Sequence, residues 1–324
     1  MKDIYLTQNG TLERKDNSVM FSNETVKKEI PIKDISAIYA IAEMSLNSKL
    51  LQLLTENNIP IFFYNYFGFY IGCYAPRQEM VSGKLLVEQV KNYTDKITRL
   101  EIAKEFIRGA MHNIRKTLMQ YDLKEESEKF NEKIGDIENK KSVADLMLHE
   151  AECRSFYFKQ FNKITKNHEF EFIKRTRQPP DNYINCLISF GNSLLYTTTL
   201  AEIFKTQLDP KISYLHEPFE RRYSLNLDIS EIFKPLIVDR VIFTLINKGI
   251  IKPEHFDKEL NFCYLNNTGR KLFVREYDSK LKTTIKYPKL NRDVSYKYMI
   301  RLECYKLIKY FLEDKKYSSF KIYW

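Results

Sequence analysis

The hydrophobic period of this chain changes once. Up to residue 75 the apolar residues fall in short β-branched or aromatic runs, at 3–7, 11–15, 18–21, 25–31, 36–40, 59–64 and 69–74. Turn signals such as Asn9-Gly10, Lys15-Asp16-Asn17 and Ser22-Asn23 separate these runs, which therefore read as strands. One helix interrupts them at 45–56, with Leu46, Leu50, Leu53 and Leu54 on one face. From Lys84 onward the spacing is helical, over 84–121, 142–163, 183–205, 224–247 and 295–313, with a short exposed helix or helical hairpin at 123–141 and a weak hairpin at 262–277. Ala75-Pro76-Arg77-Gln78 and Ser82-Gly83 mark the change. The expectation is an α+β chain: a small N-terminal β-sandwich-like domain over 1–76, a hinge linker over 77–85, and a larger all-α domain over 86–324. The 59–74 hairpin is apolar enough that part of the β domain is expected to form a homodimer contact.

At 324 residues, 44% hydrophobic and 14% aromatic, the chain can bury a substantial core, and 9 Gly and 10 Pro argue against low complexity. Five scattered Cys without a Cys-x-x-Cys pair make structural zinc and a disulfide framework poor readings and favour a reducing cytoplasm. No secretory signal is visible at the start. The longest uncharged stretch, 57–76, contains Pro60, Asn65, Gly68 and Gly72 among its aromatics, a hairpin composition and not a membrane span.

The formal charge is +10, and it is not spread evenly. Residues 270–324 hold 15 Lys and Arg against 6 Asp and Glu, a surplus of nine, interleaved with Tyr and Phe. Such a mix suits phosphate contact and base stacking, and equally a solvated helix surface.

Several polar residues sit where the surrounding pattern is apolar. In 224–247 apolar side chains cover most of the circumference, yet Asp228, Glu231, Pro235 and Asp239 recur on one side. Carboxylates on a mostly buried helix are costly unless paired or metal-bound, and Asp228 and Glu231, one turn apart, can reach a single ion. His216 lies close before this helix. Glu150 and Arg154 share a face at i, i+4, which fits a surface ion pair as well as a buried site. Asn182, Asn185, Ser189, Ser193 and Tyr196 make an uncharged polar stripe of the kind that usually faces another polar helix or a site. His149-Glu150 begins a zinc-protease motif whose second His is here Cys153, so that reading is discarded. Two carboxylates and an imidazole suit Mg2+ or Mn2+, with positions left for phosphate oxygens. Neither nucleotide-binding glycine motif occurs, so the chemistry should need no ATP.

Four segments, Glu150-Ala151-Glu152-Cys153-Arg154-Ser155-Phe156-Tyr157, Pro180-Asp181-Asn182-Tyr183-Ile184-Asn185, Leu215-His216-Glu217, and Ser224 through Asp228, Glu231, Pro235 and Asp239 to Arg240, closely resemble the CRISPR-associated adaptation integrase, the first-numbered Cas protein. The resemblance covers essentially the whole chain. It implies that Glu150, His216 and Glu231 are the metal ligands and Asp228 a supporting carboxylate. It further implies that Arg154, Asn182 and Asn185 orient ligands or bind phosphate, and that Arg270, in Asn266-Asn267-Thr268-Gly269-Arg270, helps engage DNA. Where many relatives carry Arg before the Pro of the last motif this chain has Lys234. The implied activity is insertion of short double-stranded DNA fragments into the CRISPR array by attack of a 3′-hydroxyl on a phosphodiester at the repeat. The implied assembly is a homodimer bridged by the small second-numbered Cas protein, with the helical domain catalytic and DNA-binding. A structure-selective metal-dependent DNA nuclease outside CRISPR and a non-catalytic DNA-binding scaffold are the rival readings.

Overall fold

The computed structural model describes all residues except 77–80, 178, 219–222, 260–261, 288–289, 314 and 324. Eight strands and one helix come first: β1 Lys2–Leu6, β2 Gly10–Lys15, β3 Ser18–Ser22, β4 Lys27–Pro31, β5 Ile35–Ala40, β6 Met44–Leu46, α1 Ser48–Glu56, β7 Ile61–Tyr64 and β8 Tyr70–Tyr74. They form two four-stranded sheets, ordered β1-β5-β7-β8 and β4-β3-β2-β6. Leu12, Val19 and Phe21 of one sheet share a core with Leu6, Ile38 and Ile61 of the other and with Leu50, Leu53 and Leu54 of α1. The first sheet also belongs to a second core. Along β5, Ile38 and Ala40 face the β layer, while Ala37 and Tyr39 join the core of the helical region. Period-two alternation with both faces apolar is what a strand between two layers requires.

The helical region runs α2 Gly83–Thr94, α3 Lys96–Gln120, α4 Lys124–Gly135, α5 Val143–Lys159, α6 Phe161–Thr165, α7 Tyr183–Ile203, α8 Leu225–Phe233, α9 Val238–Asn247, α10 Asn267–Lys282 and α11 Tyr296–Glu313. Two small hairpins accompany it, β9 Phe256–Glu259 with β10 Phe262–Leu265, and β11 Thr284–Tyr287 with β12 Arg292–Ser295. Three expected helices are each two. The 84–121 pattern divides at Asp95, which caps α3 with its side chain on the Ile97 N–H. The 142–163 pattern divides at Gln160. The 224–247 pattern divides before Pro235, which has no N–H to continue the ladder. The hairpin expected at 262–277 is also corrected: β10 pairs backward with β9, and Asn266 caps α10 by accepting from the Gly269 N–H.

The expected hinge lies partly outside the described residues, at 77–80, and α2 already begins at Gly83. The reason given for a dimer contact at 59–74 does not hold. Ile61, Phe62 and Tyr64 are buried against the chain's own helices, with Phe62 stacked on Phe204, and only Tyr66 and Ile71 of this hairpin stand out as exposed apolar side chains. Ion pairs fasten the layers: Lys297 of α11 reaches Asp3 of β1 at 2.5 Å, and the buried Glu202 of α7 pairs with Arg301 at 2.7 Å and Lys205 at 2.9 Å. Part of the C-terminal positive charge is thereby spent inside the fold. No helix among the described residues is long and apolar enough to cross a membrane.

Candidate metal centre

Asp228 lies in the first turn of α8 and is fully buried. Its Oδ2 accepts the backbone N–H groups of Tyr214 at 2.6 Å and Leu215 at 3.0 Å, and its Oδ1 accepts that of His216 at 2.9 Å. The same Oδ1 lies 2.8 Å from His216 Nδ1. A carboxylate without protons is an acceptor, so Nδ1 carries a proton, and in the neutral imidazole Nε2 is then the nitrogen with a lone pair for a metal. Burial would lower the imidazole pKa, but Asp228 and Glu231 raise it above its ordinary value. The residue pattern had allowed Asp228 itself to reach the ion. Its oxygens are instead committed to the 214–216 loop, and its place is behind the His216 imidazole.

Glu231 follows one turn later, 5% exposed. Its Oε2 accepts from Arg154 Nη2 at 2.7 Å, and its Oε1 from Lys234 Nζ. The backbone takes part too. In an uninterrupted helix the Glu231 carbonyl would accept from residue 235, but Pro235 offers no donor. Arg154 Nη2 lies 3.4 Å from that carbonyl, so one guanidinium group serves both the side chain and the orphaned backbone of Glu231. Burial alone would raise the Glu231 pKa; Lys234, Arg154 and His216 overcome it and hold the carboxyl down at about 2.

Glu150, on α5, accepts from Arg154 Nε at 3.2 Å. Its pKa is raised, first by burial and then by the charge of Glu231, with Arg154 and Lys234 opposing. Two carboxylates thus share one arginine and repel each other. Another buried carboxylate, Asp239 at the start of α9, is pushed up to about 6 by burial, against the pull of Arg154.

Among the described residues no three His, Cys, Asp or Glu side chains already meet at metal-ligand spacing. Arg154 and Lys234 supply the positive charge in this arrangement. The donor set nonetheless fits a hard divalent ion: two carboxylates whose mutual repulsion a cation relieves, and an imidazole whose second nitrogen is fixed by a carboxylate. Ligation requires Glu150 and Glu231 to exchange part of their ion pairs for the ion.

The remaining expected residues lie elsewhere in the network. Asn182 caps α7, accepting from the Asn185 N–H at 2.9 Å. Asn185 is buried; its Nδ2 donates to the Lys174 carbonyl at 2.8 Å and to Asp181 at 3.1 Å. Asn185 thus pins Lys174 and Asp181 to α7 while Asn182 caps that helix, and none of their hydrogen bonds reaches a candidate ligand. What Asn185 brings in is Arg175, which sequence reasoning missed: its guanidinium donates to Ser189 Oγ at 2.9 Å and Asn185 Oδ1 at 3.2 Å. Burial and neighbouring Arg177 push Arg175 down to about 10. The polar stripe on α7 was its only signal. Further along that stripe Ser193 Oγ accepts from the Tyr70 N–H, and Tyr196 lies under the Lys234 ammonium, 5.0 Å from ring centre to nitrogen. Arg270 is 4% exposed and donates to the carbonyls of Leu265 and Tyr66, so it joins α10 to the β7–β8 turn.

The family model for CRISPR associated protein Cas1 matches residues 4–279. A curated relative from Thermodesulfovibrio yellowstonii, named CRISPR-associated endonuclease Cas1 3, is 46% identical over 326 residues, covering all of both chains. A solved CAS1 protein from Thermotoga maritima is 36% identical, with a TM-score of 0.91 over 98% of this chain and 100% of that one. A casposase bound to its integration product shares the fold at a TM-score of 0.87 and 23% identity, over 99% of this chain and 93% of that one. The likeness to the relative and to the Thermotoga protein extends across α5, α7 and α8, which carry the carboxylates, the polar stripe and the Pro235 break; the chain belongs to the CRISPR associated protein Cas1 family.

Proposed function

We propose that this protein is the DNA integrase of CRISPR adaptation, with endonuclease activity at the same centre. The observation that carries this reading is the pairing of a tautomer-fixed His216 with two mutually repelling carboxylates, Glu150 and Glu231, in a Cas1-family chain. Glu150, His216 and Glu231 would hold a divalent ion, which when bound would supply Lewis-acid polarisation of a phosphodiester and help orient an oxygen nucleophile. Asp228 holds the imidazole, and Arg154 and Lys234 keep Glu231 ionised above pH of about 2.

The attacking 3′-hydroxyl of a short DNA fragment forms a P–O bond as the bond to the leaving 3′-oxygen at the repeat breaks. One phosphodiester replaces another, so no nucleotide triphosphate is consumed. With water in place of the 3′-hydroxyl the same chemistry gives cleavage. The helical region carries this chemistry in our reading. A homodimer bridged by the small second-numbered Cas protein, cytoplasmic and acting on double-stranded DNA, is the working assembly, supported by the family and by the C-terminal surplus of basic residues. Mg2+ or Mn2+ is the ion this donor set favours.

The test is strand transfer. Purified protein and its small partner are incubated with a labelled fragment, a repeat-bearing plasmid and Mg2+ or Mn2+. Covalent joining of label to plasmid supports the integrase; nicked plasmid with free label in every condition favours a nuclease alone.

A further inference from the structure

A cavity of about 300 Å³ opens at the start of α10, and none of the carboxylate-site residues lines it. Its wall is made by Tyr66, Tyr264, Asp257, Asn266, Asn267, Thr268 and Arg270. The rings are held in place. Tyr66 sits in the turn between β7 and β8, which Asn65 closes by accepting from the N–H groups of Phe67 and Phe69, and which Gly68 completes at φ +85°. Arg270 donates to the Tyr66 carbonyl, and its guanidinium lies 5.6 Å from the Tyr66 ring centre. Tyr264 meets Tyr66 at 5.3 Å between centroids and is backed by Phe67 at 5.5 Å.

Despite this anchoring Tyr66 is 59% exposed. The side chains of Asp257, Asn267 and Thr268 are exposed as well, and among the described residues none of these three side chains is hydrogen-bonded to another protein group. Arg270, although buried, forms no ion pair with a carboxylate among the described residues. The cavity therefore combines a preset aromatic face, a buried cation beneath it, and solvent-facing hydroxyl, amide and carboxylate groups at its edge. A flat ring with polar edges suits all three: it stacks on tyrosine, and its exocyclic amino groups and ring nitrogens meet the rim.

We infer that this cavity seats one unstacked nucleobase of a single-stranded DNA segment, with Tyr66 as the stacking platform and Asp257 as acceptor for an exocyclic amino group. The inference rests on the DNA-acting reading above but concerns a separate place on the surface. Arg270 acts as a positioning residue that fixes the platform through its backbone. Any single-stranded extension of a DNA substrate that passes α10 is gripped here without regard to the metal centre.

The experiment uses the full chain in EDTA, so that no strand transfer occurs, and single-stranded oligonucleotides with 2-aminopurine at successive positions. Quenching of the probe at one position is expected in wild type, retained in Tyr66→Phe and lost in Tyr66→Ala. Single-strand affinity in Tyr66→Ala is expected to fall about 5- to 100-fold, with blunt-duplex affinity changed less than twofold. Thr268→Phe, which fills the opening from an exposed position, is expected to give the same loss. Absence of position-specific quenching, or quenching that survives both Tyr66→Ala and Thr268→Phe, overturns the inference. A change of oligomeric mass in Tyr66→Ala by light scattering also overturns it, by assigning the face to a protein contact. Because no metal is present, failure here is separate from failure of strand transfer.

Discussion

The Asp228 carboxylate oxygen that lies 2.8 Å from the His216 imidazole also accepts the His216 backbone N–H at 2.9 Å. One buried anion therefore sets both the position and the tautomer of the proposed ligand. Asp228→Asn replaces an acceptor by a donor at one of these oxygens. It is expected to lower Mn2+ affinity and strand transfer by about 10- to 100-fold and stability by about 1–3 kcal/mol. Calorimetric titration with Mn2+ and urea unfolding measure the two effects; unchanged Mn2+ affinity would show that His216 is not held through this carboxylate.

Arg154 is the counter-ion of both Glu150 and Glu231. Arg154→Gln leaves the buried Glu231 and the half-buried Glu150 with less positive charge and is expected to cost about 3–5 kcal/mol in urea unfolding. Because a divalent ion relieves the same repulsion, Mn2+ should raise the melting temperature of the variant more than that of wild type. An equal or smaller rise would mean that the ion and Arg154 do not act on the same carboxylates.

Asp239 is buried and titrates at about 6, above its ordinary value of 3.8. The folded chain therefore binds a proton over pH 4 to 6 that the unfolded chain has already released, and stability falls as pH rises through this window. The shift amounts to about 3 kcal/mol, an order-of-magnitude figure. Asp239→Asn is expected to remove that slope, so that its stability relative to wild type grows from pH 4 to pH 6. Parallel unfolding curves for the two proteins across this range would contradict the assignment.

Basic side chains near the C-terminus differ in what they can offer DNA. Arg270 is buried under Tyr66 and Lys297 is paired with Asp3, whereas Lys286 on β11 is exposed and has no ion pair among the described residues. Lys286→Glu is expected to weaken duplex binding uniformly across sequences and to reduce the slope of log affinity against log salt by about 1. An unchanged slope would remove Lys286 from the DNA-binding face.

The strands and the change of period near residue 80 were legible because alternation and turn chemistry are local. Pro235 was also visible, yet the apolar run around it reads as one helix, since periodicity records burial and not whether each carbonyl finds a donor. The consequence, that Arg154 from another helix meets the freed Glu231 carbonyl, is a tertiary fact. Asn182 and Asn185 stood out as polar residues against an apolar helix, but spacing could not say that Asn182 caps it and that Asn185 holds a loop and Arg175. The C-terminal charge surplus was likewise real in composition, while its partial neutralisation by Asp3 and Glu202, far away in sequence, was not readable. The apolar hairpin at 59–74 looked like a surface in need of a partner only because its partner, α7, is more than 100 residues later in the chain.

The central claim is that Glu150, His216 and Glu231 hold the ion that strand transfer needs, separately from DNA binding. The most direct measurement compares Glu150→Ala with wild type in the fragment-to-plasmid assay with Mg2+ or Mn2+, alongside duplex affinity measured in EDTA. Strand transfer is expected to fall below detection while affinity stays within several-fold of wild type. Full strand transfer by Glu150→Ala would contradict the metal centre described here, whatever the family.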